Sequence, residues 1–104
     1  MSVSEYEWDK GPRIRCLRDY LGLSVAELAA ALDVSVRSYQ NFESGRAAIP
    51  TGVMDEVTDL VHRLDELAGD FSTRESVSID GFTSFEMRAA GIAAAASPRL
   101  RIEP

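Results

Sequence analysis

Hydrophobic residues in the first half of the chain recur at helical spacing within short segments that turn residues separate. Ile14, Leu17 and Leu21 share one face of a helix that we expect to begin near residue 11, where a proline is tolerated in the first turn. Gly22 is typical of the residue that follows a helix, because glycine readily adopts the left-handed conformation. The pattern therefore predicts a first helix between residues 11 and 21.

Two capping signals define the next two helices. Ser24 and Glu27 have the spacing of a capping box, in which each side chain accepts a hydrogen bond from a backbone N–H of the first turn, and the helix should run to about Leu32. Ser35 should cap a third helix, from Val36 to Ser44. Two capped helices joined by a short turn, the first of them short, are typical of a helix-turn-helix.

A longer apolar stripe predicts a fourth helix from about Thr51 to Ala68, ended by Gly69. Beyond it, Val77 and Ile79 alternate with polar residues, and so do Leu100 and Ile102, which favours two short strands. Between the strands, Thr83 and Glu86 form a second capping box, which opens an alanine-rich helix. The segment after the fourth helix is therefore predicted to form a strand, a helix and a second strand.

These elements predict a mainly α fold with a helix-turn-helix domain of four or five helices. We expect an acidic N-terminal arm at residues 1–10, the helix-turn-helix domain at residues 11–69 and a strand–helix–strand segment at residues 70–104. A two-strand segment of this size has too little apolar surface to fold alone, so it should pack on the long helix, on a partner chain, or on both.

The net charge of −6 argues against promiscuous nucleic-acid binding, but the charge is unevenly distributed. The segment from Lys10 to Arg46 is net positive, whereas both flanks are acidic. The chain lacks an apolar signal core at its N-terminus and a long apolar run, so we expect it to be cytoplasmic. Cys16 is the only cysteine and His62 the only histidine. We therefore expect no metal, no cofactor and no catalytic residues.

One set of residues between Arg18 and Pro50 forms a recognisable pattern of type and spacing: Arg18, Gly22, Leu23, Ser24, Glu27, Leu28, Ala29, Leu32, Val34, Ser35, Tyr39, Phe42, Glu43, Gly45, Arg46 and Pro50. In these residues the chain resembles the phage-repressor and Cro-type helix-turn-helix family. It is most similar to the branch that includes YdiL-like regulators and small anti-CRISPR-associated repressors.

The resemblance implies that the third helix enters the major groove of DNA. It places Arg37 and Asn41 on the base-reading face, since arginine suits guanine and asparagine suits adenine. The wider set of base-reading candidates comprises Val36, Arg37, Ser38, Gln40 and Asn41. Candidates for phosphate contact are Ser44, Arg46, Arg13 and Arg15. The resemblance also implies that Arg18 pairs with Glu43, and the spacing of Tyr39 and Phe42 indicates core residues rather than a base-stacking pair.

The leading hypothesis is a sequence-specific transcriptional repressor that binds an inverted-repeat operator in double-stranded DNA as a homodimer. Candidate dimer contacts lie along the long helix and the tail, at Val57, Val61, Leu64, Val77, Ile79, Leu100 and Ile102. The alternative is an antitoxin or adaptor whose C-terminal segment binds a partner protein. A small number of acidic residues face one side of the long helix, but nothing supplies a nucleophile, so an enzyme is not expected.

Overall fold

The computed structural model describes residues 10–104 and, for residues 6–7, the backbone alone. The rest of the predicted N-terminal arm, residues 1–5 and 8–9, lies outside the described residues. The helices of the described part are α1 (Gly11–Leu21), α2 (Val25–Ala31), α3 (Val36–Ser44), α4 (Thr51–Ser72) and α5 (Ser84–Ala96). The strands are β1 (Tyr6–Glu7), β2 (Ile49–Pro50), β3 (Ser76–Ser78) and β4 (Arg101–Glu103). The mainly α fold class is confirmed.

The predicted caps form and fix the helix boundaries. Ser24 Oγ accepts a hydrogen bond from the backbone N–H of Glu27 at 3.1 Å, and Glu27 Oε1 accepts one from the N–H of Ser24 at 2.8 Å. Ser35 Oγ accepts a hydrogen bond from the N–H of Ser38 at 3.0 Å. Asp33 has a φ of 57°, the left-handed conformation that a short turn between α2 and α3 requires. The structure therefore has α3 beginning and ending where the sequence predicts.

The described residues form two compact units that divide between Leu60 and Val61, and α4 contributes to both. In the first unit, α1 and α2 both pack against α3. Tyr39 is fully buried and meets Phe42 edge to face, with ring centroids 6.3 Å apart. Both aromatic side chains are therefore core residues, as predicted. Among residues 10–60, the buried apolar side chains are Ile14, Leu21, Leu28, Ala29, Leu32, Tyr39, Phe42, Ile49 and Val57.

The first unit also contains a short antiparallel pair of strands, β1 and β2. Tyr6 of β1 lies opposite Pro50 of β2, and Glu7 lies opposite Ile49. Neither strand is predicted from the sequence, because two residues are too few to show an alternating pattern. The arm is thus tied to the chain at residues 6–7.

The second unit contains the predicted strand–helix–strand segment. Its strands β3 and β4 are parallel, with Val77 opposite Ile102. The helix α5 between them buries a face of small residues, Ala89, Ala90 and Ala93.

The prediction that α4 ends at Gly69 is wrong, because the helix continues to Ser72. Phe71, only 4% exposed, extends the buried stripe of Leu64 and Ala68 by one further turn. Its ring stacks on Phe82, with centroids 5.5 Å apart and planes 13° apart. Burying a phenylalanine contributes about 1.5–3 kcal/mol, which exceeds the cost of about 1 kcal/mol for a glycine inside a helix.

Candidate nucleic-acid interface

The outer face of α3 carries polar side chains that make few contacts with the protein. Val36 is 43% exposed, and Arg37, Ser38 and Gln40 are also exposed. Asn41 is half-buried at the next turn of the helix. All of the predicted base-reading residues therefore lie on the side of α3 opposite to Tyr39 and Phe42, or along its edge.

Part of this face forms one shallow depression. Its lining residues are Arg37, Gln40, Asn41, Ser44 and Arg46. The favoured base-reading residues Arg37 and Asn41 therefore line the same depression as the phosphate candidates Ser44 and Arg46. Val36 and Ser38 lie outside it, and Ser38 Oγ accepts a hydrogen bond from Ser35 Oγ at 2.9 Å.

The end of α3 is closed by its own backbone. Gly45 adopts a φ of 80° and its N–H donates to the carbonyl of Phe42. The carbonyl oxygen of Asn41 accepts from Ser44 Oγ at 3.3 Å and from the N–H of Ala47 at 3.1 Å. The Asn41 backbone is therefore held by two bonds, and no hydrogen bond ties its side-chain amide among residues 10–104.

Arg18 and Glu43 form the ion pair that the resemblance implies. This ion pair fixes α3 against α1. Arg18 Nε lies 2.6 Å from Glu43 Oε2, and Nη2 lies 3.3 Å from Oε1, so the contact is bidentate. Arg18 Nη1 also donates to the carbonyl of Leu23 at 3.2 Å, which adds the α1–α2 turn to the network. The Tyr39 hydroxyl donates to Glu43 Oε2.

This network sets the protonation states of its members. Burial opposes ionisation of Glu43, but the hydrogen bonds from Arg18 and Tyr39 outweigh it and hold the pKa of the carboxyl below its usual range. The hydrogen bond to Glu43 raises the pKa of Arg18, and burial together with the same carboxylate raises the pKa of Tyr39. Because the folded-state pKa of Glu43 is depressed, its stabilisation is present above the unfolded value and is lost as the pH falls through the folded value.

Replacing Tyr39 with phenylalanine should change how stability depends on pH at the alkaline end. The raised pKa means that the fold favours the neutral phenol, so this contribution is complete below about pH 10 and is lost as the pH rises through the folded pKa. Tyr39→Phe should cost about 1 kcal/mol at neutral pH and flatten the alkaline decline. Urea titrations of both proteins from neutral to alkaline pH measure this, and an equally steep decline in Tyr39→Phe would contradict it.

Gly11, which the sequence indicates only as a helix boundary, lies tightly against the backbone of α3. A Cβ atom on Gly11 would lie 2.7 Å from the carbonyl oxygen of Glu43 and 2.9 Å from that of Phe42. Both neighbours are backbone atoms, which cannot move aside as a flexible side chain does. In the sequence, Gly11 is noticeable only as part of the pair Gly11-Pro12. The start of a helix is enough to explain that pair, so the sequence does not indicate the contact with α3.

The two phosphate candidates on α1 lie apart from the depression. Arg13 and Arg15 are both exposed. Arg15 lowers the pKa of Glu43 through its charge, so it also adds positive potential near the network. Cys16 is exposed, and the described part of the chain contains no cluster of three or more histidine, cysteine or acidic residues arranged to hold a metal ion.

The predicted dimer contacts differ sharply in exposure. Val57 and Leu64 are fully buried, and Val77 and Leu100 are 3% and 9% exposed, so these four side chains belong to the core of the single chain. Val61 and Ile79 are half-buried, and Ile102 is 40% exposed. These last three residues remain accessible to a partner.

No helix in the described part of the chain has both the length and the apolar character that a membrane crossing requires.

No curated protein and no solved structure matches the chain. A family model described as a helix-turn-helix domain matches residues 11–69, more than half of the chain. The matched residues include α1, α2 and α3 with the bidentate Arg18–Glu43 contact. The chain therefore belongs to a helix-turn-helix family of DNA-binding domains.

Proposed function

We propose that the protein is a sequence-specific transcriptional repressor that reads double-stranded DNA with α3 in the major groove. The observation that carries this is the composition of the depression on α3. It holds two arginines, two side-chain amides and a hydroxyl, and no carboxylate. In a chain of net charge −6, an acid-free surface of this kind suits the phosphates and base edges of DNA.

Within this proposal the residues of the depression divide into two roles. Arg37 lies in the first turn of α3, the part of a recognition helix that reaches base edges, and Asn41 follows it one turn later on the same face. Arg46 lies just beyond Gly45, where a guanidinium suits a phosphate. Gln40, Ser38 and Val36 complete the reading face.

Arg46→Ala should weaken binding to every duplex sequence alike. A phosphate contact carries no sequence information, and its loss should reduce the slope of log affinity against log salt by about one. Fluorescence anisotropy with a preferred and a scrambled duplex, each at several salt concentrations, measures both effects. Arg63→Ala, which removes an exposed arginine of α4 that does not line the depression, serves as the control. A sequence-dependent loss in Arg46→Ala, or an unchanged salt slope, would contradict the phosphate role.

Dimerisation is part of the proposal, because one recognition helix covers too few base pairs for useful specificity. Supporting it, β3 and β4 form only a two-stranded parallel sheet, an arrangement that is rarely stable unless further structure covers it. Ile102 at the centre of β4 is exposed. Light scattering on the isolated chain should give twice the monomer mass. A monomer would favour the adaptor alternative, in which the same segment binds another protein.

We further propose that the chain is a binding protein rather than an enzyme, that it acts in the cytoplasm, and that it belongs to the branch of YdiL-like and anti-CRISPR-associated small regulators. The support for the branch is the aromatic pair Tyr39 and Phe42 in the core of α3, together with a C-terminal segment that follows the DNA-binding half.

A further inference from the structure

A cavity of about 740 Å³ opens in the second unit, and none of its lining residues belongs to the depression on α3. Its walls come from the end of α4, the residues that follow it, and the connection between α5 and β4. This volume lies within the usual range for small-molecule sites, about 300–1,000 Å³. The cavity is open on one side, so a ligand there would keep part of its surface in solvent.

Three of its lining residues are arginines: Arg74, Arg99 and Arg101. One carboxylate, Glu75, also lines the cavity, which leaves an excess of positive charge in a chain whose net charge is −6. Within residues 10–104, none of the three guanidinium groups forms an ion pair. Only one carboxylate faces three guanidinium groups, so their mutual repulsion is only partly compensated and the cluster favours a bound anion.

The walls of the cavity are held together by contacts that do not use the guanidinium edges. The backbone N–H of Arg101 donates to the carbonyl of Glu75 at 3.1 Å, and Ser97 Oγ lies 3.5 Å from the carbonyl oxygen of Ser72. The guanidinium carbon of Arg74 sits 5.3 Å from the centroid of the Phe71 ring. Stacking occupies the face of that group and leaves its N–H donors available.

The remaining lining residues indicate more than a bare inorganic ion. Ala96, Pro98 and Leu100 supply an apolar part of the wall, and Leu100 is buried. Guanidinium groups bind phosphates and carboxylates through paired, charge-assisted hydrogen bonds. An apolar surface beside them suits the organic part of such a ligand.

We propose that this cavity binds a small organic oxyanion, a phosphate monoester or a polycarboxylate, through Arg99 and Arg101 with Arg74 oriented by Phe71. The proposal does not depend on DNA binding, since it concerns residues of the second unit alone. It gives the C-terminal segment a ligand site in addition to its proposed part in dimerisation.

Isothermal titration of the full chain tests the proposal, with adenosine monophosphate, citrate, inorganic phosphate and adenosine as separate probes. At least one of the two organic oxyanions should bind, inorganic phosphate should bind more weakly, and uncharged adenosine should not bind. Comparison of adenosine monophosphate with citrate shows whether the site binds a phosphate ester or a polycarboxylate. Absence of binding by both organic anions in the millimolar range, or equal binding of inorganic phosphate, would overturn the proposal.

The double variant Arg99→Ala/Arg101→Ala should lose about tenfold or more in affinity for the bound anion, because it removes the charge-assisted hydrogen bonds of two guanidinium groups. Arg63→Ala removes an exposed arginine of the same unit outside the cavity and should bind as the parent does. Since Arg99 and Arg101 are exposed, thermal unfolding should stay close to that of the parent. Unchanged anion affinity in the double variant would contradict the site.

Discussion

Gly11→Ala should destabilise the first unit and disturb the position of α3. The added Cβ would meet the carbonyl oxygens of Glu43 and Phe42 at 2.7 and 2.9 Å, closer than such atoms approach. Relief requires α1 and α3 to separate, and overpacking of this kind costs about 1–3 kcal/mol. The same separation lengthens the Arg18–Glu43 contact, so the free energy of unfolding and the DNA affinity should both fall.

Gly69→Ala is the matched control. Gly69 also lies in a helix, but a Cβ there would meet no heavy atom within 4 Å. Alanine should stabilise α4 by about 0.5–1 kcal/mol, because glycine loses more conformational freedom on folding. Urea titration of both variants measures the contrast. Equal stability changes in the two variants would show that the approach of α1 to α3 is not tight.

Arg37→Ala and Asn41→Ala should each cost about 1–3 kcal/mol of binding to the preferred duplex, a loss of roughly five- to 150-fold. The loss should be much smaller on a scrambled duplex, because base contacts carry the sequence information. Both side chains point away from the core formed by Tyr39 and Phe42, so the circular dichroism and the unfolding midpoint should remain those of the parent.

Competition between the preferred and scrambled duplexes, followed by anisotropy, measures this discrimination directly. Arg63→Ala serves as the control for loss of one exposed positive charge. If both single variants retain full discrimination, the reading face has been assigned to the wrong residues.

The sequence was sufficient for the features whose causes are local. The capping box of Ser24 and Glu27 and the cap at Ser35 depend on residues three positions apart, and both form as predicted. The Arg18–Glu43 pair is a long-range contact, and it came from the resemblance rather than from spacing. The hydroxyl bond from Tyr39 to Glu43 was missed, although the two residues lie one helical turn apart.

Features that depend on tertiary packing could not be predicted from the sequence. Gly69 has the local properties of a helix end, but burial of Phe71 keeps the helix intact. The sequence shows that Val57, Leu64, Val77 and Leu100 are apolar, and it does not show whether they face a partner or their own core. The structure buries all four within the single chain.

The arginine cluster of the second unit was missed for a similar reason. Arg74 is separated from Arg99 and Arg101 by the whole of α5, so only the parallel pairing of β3 with β4 brings them to one cavity. Hydrophobic periodicity in a single sequence does not show that residues so far apart in the chain line the same cavity.

Selection of bound duplexes from a random library tests the central claim, reading of DNA by α3, most directly. We expect enrichment of an inverted repeat whose half-site centres lie about 34 Å, or one helical turn, apart, and loss of that enrichment in Arg37→Ala/Asn41→Ala. Failure to enrich any sequence, or enrichment of the same sequence by the double variant, would contradict the account.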